Sequence, residues 1–205
     1  MTIRQWLVKR PTIKPEDVSE FWKAMSARYR TSILDKSVDE DAKLIAKFLD
    51  AMGIMNAATW LENYCSTIGN RIWIPFTPGV PHGAWDLWQQ IAVCVHEHFH
   101  VGQDRSMDGL LFEYSYASNS TTRAYYEAEA YRTNMTLDWR YMGNVLDPAY
   151  LASLLAAYNC NASDIAMVEK MLRVSLVAIK RGAIPGTITQ FACNWLDARW
   201  GRSGR

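Results

Sequence analysis

No apolar run in this sequence approaches the ~18 residues that a membrane-spanning helix needs, so a membrane-embedded protein is not expected. The first residues, Met1-Thr2-Ile3-Arg4-Gln5-Trp6, lack the apolar core of a secretory leader, and the expected compartment is the cytoplasm. Excess charge of either sign is also missing. Twenty-two basic residues face twenty-one acidic ones, a net charge of +1, and nothing calls for a nucleic acid or an anionic membrane as partner. Cysteine is sparse: Cys65, Cys94, Cys160 and Cys193 are scattered without any CxxC spacing, which argues against a disulfide framework and for reduced, packed thiols. Internal repeats, low-complexity stretches and linkers are absent, so residues 1–205 are expected to form one domain.

What the chain does have is apolar and aromatic content, 49% and 12%, with nine tryptophans, enough for a substantial core. It also has one stretch with chemistry written into it. His96-Glu97-x-x-His100 has the spacing of a zinc-hydrolase helix. Residues four apart on a helix stand roughly 6 Å apart along one face. Two imidazoles so placed can hold one Zn²⁺ at about 2.0–2.1 Å each. Glu97 projects to the side of that face, too far round to be a ligand, but within reach of a metal-bound water as general base.

The flanking residues predict a helix. Trp88, Ala92, Val95 and Phe99, with Ile91 beside them, form a buried-side stripe, and the two histidines fall about a quarter turn away. Gly102 is placed to end that helix, and its start is expected near Ala84. His98 points away from the pair and is expected to be packed rather than ligating, and Cys94 also turns from the metal face.

Elsewhere the pattern reads as mostly helical. Residues 3–8 are open between a short strand and an irregular arm. Pro15 opens a first helix with Glu16 and Asp17 in its first turn. Ser37-x-x-Glu40 reads as a capping box for a second, ending near Gly53, and Asn56 caps a third through about Ser66. Arg71-Ile72-Trp73-Ile74-Pro75-Phe76 reads as an edge strand because Pro75 cannot donate to a ladder. That strand would either pair with an extended peptide or be an edge blunted by its proline. Leu110–Ala117 reads as a second strand. Helices are expected from about Thr122 beyond Asp138, near Asp147–Tyr158, over 162–180 and over 184–200.

A catalytic zinc needs a third protein ligand. Gln103 and Ser106 stand where a metzincin pattern would require other residues, and Asp104 lies past the expected helix end. Arg123-Ala-Tyr-Tyr-Glu127-Ala-Glu129-Ala-Tyr131 carries a glutamate on a helix C-terminal to the motif. This resembles the glutamate helix of gluzincins, and is most similar to the small minimal-gluzincin proteins of bacteria and phages and to CAAX-protease-like peptidases. The resemblance spans roughly residues 70–138, and Tyr131 stands where the family often has Asp or Asn.

The resemblance implies an α+β, predominantly helical fold. It would have a zincin-like core of small sheet with edge strand, HExxH helix and glutamate helix, with extra N- and C-terminal helices. It implies Zn²⁺ held by His96, His100 and Glu127, Glu97 as general base, and a peptide or protein substrate for an endopeptidase. Glu127 and Glu129 diverge by about 200° on a helix, so both cannot face the metal, and Glu127 is preferred. Ala124, Ala128 and Ala130 would also let the Glu127 face pack closely, with Tyr131 and Asn134 able to support the ligands. Glu129 is expected to pair with Arg132 at the surface. An oxyanion donor is open among Tyr114, Tyr116, Tyr125, Tyr126, Tyr131, Arg123 and His82. The rival reading is a non-catalytic helical interaction or structural protein that keeps a zinc site.

Overall fold

A computed structural model describes residues 10–53 and 56–201. The arm expected over residues 3–8 lies outside them. The elements in order are α1 (Pro15–Tyr29), β1 (Ser32–Asp35), α2 (Glu40–Ala51), α3 (Ala57–Asn63), β2 (Ser66–Ile68) and β3 (Arg71–Ile74). Then come α4 (Leu87–Ser106), α5 (Gly109–Ser118), α6 (Ser120–Leu137), α7 (Pro148–Ser153), α8 (Ala162–Lys180) and α9 (Gly186–Arg199). The protein is predominantly helical with one small sheet. Among the described residues no helix is long and apolar enough to cross a membrane.

Local chemistry explains most boundaries. Pro15 stands at the first position of α1 with Glu16 and Asp17 behind it. Asp86 and Gln89 form a reciprocal capping box that starts α4 at Leu87, slightly later than Ala84. The second helix is capped by Asp39, whose side chain accepts from the Ala42 N–H, while the Ser37 hydroxyl donates to Asp35. Asn56 caps α3 as expected, but α3 stops at Asn63 and the next three residues become β2.

Three expectations are corrected. Residues 71–76 do not form an edge strand: β3 is central, parallel to β1 on one side and antiparallel to β2 on the other. Pro75 lies one residue beyond the strand end, so its missing N–H removes no ladder bond. The edge that borders the motif helix is β2. Residues 110–117 form α5 rather than a strand. Asp108 caps it, and Phe112 and Tyr116, four apart, face inward together. Finally, Gly102 does not stop α4, which continues to Ser106. Gly102 is there for close approach: a Cβ at that position would come within 2.6 Å of the Ile188 side chain on α9.

α4 runs through the middle of the molecule. Its Ile91, Cys94 and Val95 are fully buried against α1, β3 and α9, in a cluster with Phe21, Trp22, Ile72 and Leu196. A second cluster joins α6, α7 and α8 around Ala128, Met135, Leu155 and Leu172. A third packs α2 and α3 on Trp73. α6 packs along α4, and its alanines Ala124, Ala128 and Ala130 are buried without exposed surface. All four cysteines are buried and free of disulfides.

Candidate metal centre

His96 and His100 lie one turn apart on α4, and Glu127 reaches them from α6. The two Nε2 atoms are 3.1 Å apart. Glu127 Oε2 lies 3.3 Å from His96 Nε2, and Oε1 lies 3.5 Å from His100 Nε2. All three residues are buried, Glu127 to 2% exposure. Among the described residues they form a group of His and carboxylate side chains able to hold a metal ion.

Hydrogen bonding decides what those converging atoms are. His100 Nδ1 faces Gln103 Oε1 at 2.8 Å. The orientation of the Gln103 amide is fixed from its other end, since Nε2 donates to the Tyr126 carbonyl and to Glu129, each at 3.1 Å. His96 Nδ1 likewise faces Asn134 Oδ1 at 3.0 Å. Each Nδ1 therefore carries a proton and donates it to an amide oxygen, which in a neutral imidazole leaves Nε2 as an acceptor. Two Nε2 atoms and a carboxylate then point at one spot, where neutral imidazoles would place no hydrogen between them. Three buried acceptors repel one another unless a cation sits among them.

The metal-free site answers that repulsion with a proton. Burial works to lower the His100 pKa, but the Glu127 carboxylate overrides it and raises it to about 9. Burial works to raise Glu127, yet the facing His100 and His96 hold it well below the usual carboxylate range. A metal ion answers the same repulsion better. Bonds of about 2.0–2.1 Å in tetrahedral geometry put ligand atoms ~3.3 Å apart; the two Nε2 atoms stand 3.1 Å apart, each faces its own oxygen of Glu127 at 3.3 and 3.5 Å, and one ligand atom from each residue lies within 4.8 Å of the others. Glu127 Oε2 is buried without a hydrogen-bond partner, an orphan that a cation would satisfy. The residues present fit a zinc ion.

Around this trio the supports are specific. The Tyr116 hydroxyl donates to Glu127 Oε1 at 2.6 Å and so orients the carboxylate. Tyr131 packs its ring on His96, with centroids 5.4 Å apart. The Thr67 hydroxyl, on β2, donates to Glu97 Oε2 at 2.7 Å. Glu97 itself is buried to 4% exposure and lines the same cleft as the trio without belonging to it.

The residues set aside by the spacing stay aside. His98 is fully buried on the opposite side, where its Nδ1 donates to the Cys94 carbonyl and its Nε2 accepts from Thr31. Burial lowers its pKa to about 4, so it is neutral. Asp104 lies inside α4 rather than beyond it, and outside the metal trio. Glu129 bonds Gln103 and Tyr125 rather than Arg132. Arg123 does not pair with Glu127: its guanidinium donates to the carbonyls of Tyr116, Ala117 and Tyr158.

Two supporting residues were not foreseen. A helix ended by Gly102 would leave Gln103 outside it. An unbroken α4 puts it one turn past His100, and a glutamine at that offset is the signal. Thr67 has no such signal, because it meets Glu97 only through the sheet. Scans against protein-family models, curated proteins and solved structures return no match to this chain.

Proposed function

We propose that this protein is a zinc-dependent hydrolase of peptide bonds, with His96, His100 and Glu127 as the metal ligands and Glu97 as general base. The observation that carries the reading is the convergence of two buried imidazole Nε2 atoms and the Glu127 carboxylate on one spot, with a second carboxylate, Glu97, held beside them in the same cleft. Zinc in such a site lowers the pKa of a coordinated water to about 7 and polarises a carbonyl. Three protein ligands leave a position for water and substrate, which a closed structural site does not.

Each chain residue has a definable task. His96 and His100 are locked in one tautomer by Asn134 and Gln103, which keeps their Nε2 lone pairs aimed at the ion. Tyr116 prevents Glu127 from rotating away. Thr67 holds Glu97 by Oε2, which leaves Oε1 to take a proton from water and deliver it to the departing amine. The HExxH helix, the glutamate helix and the sheet edge at β2 together support a zincin-like core.

The test is a comparison of wild type with Glu97→Gln after zinc reconstitution, on a mixed pool of end-blocked peptides. Retained zinc with turnover lowered by several orders of magnitude supports the hydrolase. A variant that holds zinc and behaves as wild type in every assay supports the rival, a non-catalytic protein with a retained metal.

A further inference from the structure

The metal trio forms the floor of a cleft of about 580 Å³. Its far wall is α2, and that helix is unusual. Only Ala42 and Ala46 are buried on it, while Leu44 and Phe48, four apart, are 69% and 54% exposed. Leu44, Ile45, Phe48 and Leu49 all line the cleft, together with Phe112 and Tyr116 of α5. Large apolar side chains left in solvent beside a chemically equipped cleft mark a ligand surface rather than unfinished packing.

The charge pattern narrows the ligand. Among the described residues no lysine or arginine lines the cleft, and the acidic groups that do are Glu97, Glu113 and Glu127. Away from the metal position, a substrate end bearing a carboxylate, or any phosphorylated group, would meet Glu97 and Glu113 with no lysine or arginine among the described lining residues to offset them. Lys36 does not change this. Its ammonium is buried behind the wall and spent on the Trp60 and Tyr64 carbonyls.

We infer that the cleft binds an internal, apolar segment of a polypeptide, with Leu44 and Phe48 of α2 as the residues that select large hydrophobic side chains next to the scissile bond. The inference rests on the hydrolase reading for the word scissile, but the binding preference is separable from it. Selection follows from burial: an apolar side chain removes its own surface and that of Leu44 and Phe48 from water together. A charged one would be desolvated next to carboxylates.

The experiment is calorimetric titration of zinc-reconstituted Glu97→Gln protein with N-acetylated, C-amidated octapeptides whose central pair is Phe-Leu, Ser-Gly or Glu-Glu. The Phe-Leu peptide is expected to bind at least about tenfold more tightly than Ser-Gly, the discrimination a hydrophobic pocket gives for a large group. Glu-Glu is expected to bind least. Adding Leu44→Glu or Phe48→Glu should erase the preference while zinc content and melting temperature stay unchanged, because both side chains are already largely exposed. Equal affinity for the three peptides overturns the inference. So does a preference that survives both substitutions, tighter binding of a peptide with a free C-terminal carboxylate, or tighter binding of N-decanoylglycinamide, which would make the ligand an acyl chain. The same peptides given to wild type keep the two readings apart. Preferential binding without cleavage ends the hydrolase reading and leaves the cleft assignment standing. Cleavage of all three at one rate does the reverse.

Discussion

Gln103 holds His100 in a single tautomer: its Oε1 accepts from Nδ1 at 2.8 Å while its amide nitrogen is anchored to the Tyr126 carbonyl and to Glu129. The ring is thus fixed from α6, the helix that also supplies Glu127, so ligand and support move together. Removing the glutamine frees the ring and costs it a basicity-enhancing acceptor. Gln103→Leu should weaken zinc binding by about 10–100-fold, the usual cost of losing such a partner. Competition with a fluorescent chelator measures it, and unchanged affinity would mean that packing alone orients the ring.

The two glutamates of α6 should separate cleanly. Glu127→Ala deletes a ligand and should lower zinc affinity far more than any supporting change. It should also lower the His100 pKa from about 9, since burial already works to lower it and Glu127 is the largest of the groups that raise it. Glu129→Ala touches the site only through Gln103 and should lower affinity by less than Gln103→Leu does, because the Tyr126 carbonyl still anchors the amide. Zinc titration of the apo variants decides. Glu129→Ala behaving as the stronger defect would transfer the ligand role to Glu129.

Thr67→Val tests the general base without touching the metal. It removes the hydroxyl donated to Glu97 Oε2 and keeps nearly the same volume on β2. Zinc content should be unchanged, and turnover should fall by about 10–100-fold as the carboxylate loses its fixed orientation. Thr67→Ser, which restores the donor, should recover most of the rate. A Ser variant as slow as the Val variant would place the effect in packing rather than in the hydrogen bond.

The metal trio was legible because helix periodicity is local. Four residues separate His96 from His100, and the alanines around Glu127 announce a face that packs closely. Asn134 was legible for the same reason, at i+7 from Glu127 on one helix. What failed was whatever depends on partners far along the chain. The Arg71–Phe76 segment has the composition of a strand, and it is one, but centrality is set by β1 and β2 arriving from elsewhere. Leu110–Ala117 is apolar and aromatic enough for either structure, and the Asp108 cap decides it. Gly102 carries a stop signal that α4 passes through, and Ile188, more than eighty positions later, packs into the space a Cβ would take.

Asp138 offers a prediction independent of the metal. It sits in the π-helical turn Asp138–Met142 that extends α6, and accepts a hydrogen bond from the Trp88 indole at 2.8 Å. Burial raises its pKa from 3.8 to about 6, and the indole bond opposes that only in part. A raised carboxyl pKa means the folded state prefers the protonated form. Below pH ~4 the group is protonated in both states and costs nothing. As pH rises from there through about 6, the folded state must carry a buried charge that the unfolded chain holds in water, and stability is lost. Asp138→Asn keeps an oxygen for the indole and removes the titration. In metal-free protein the variant should match wild type near pH 4 and exceed it by about 2 kcal/mol at pH 7.5, a two-unit shift discounted for partial exposure. Urea midpoints at the two pH values measure this. An advantage of equal size at both would trace the effect to packing in the turn and not to the carboxylate charge.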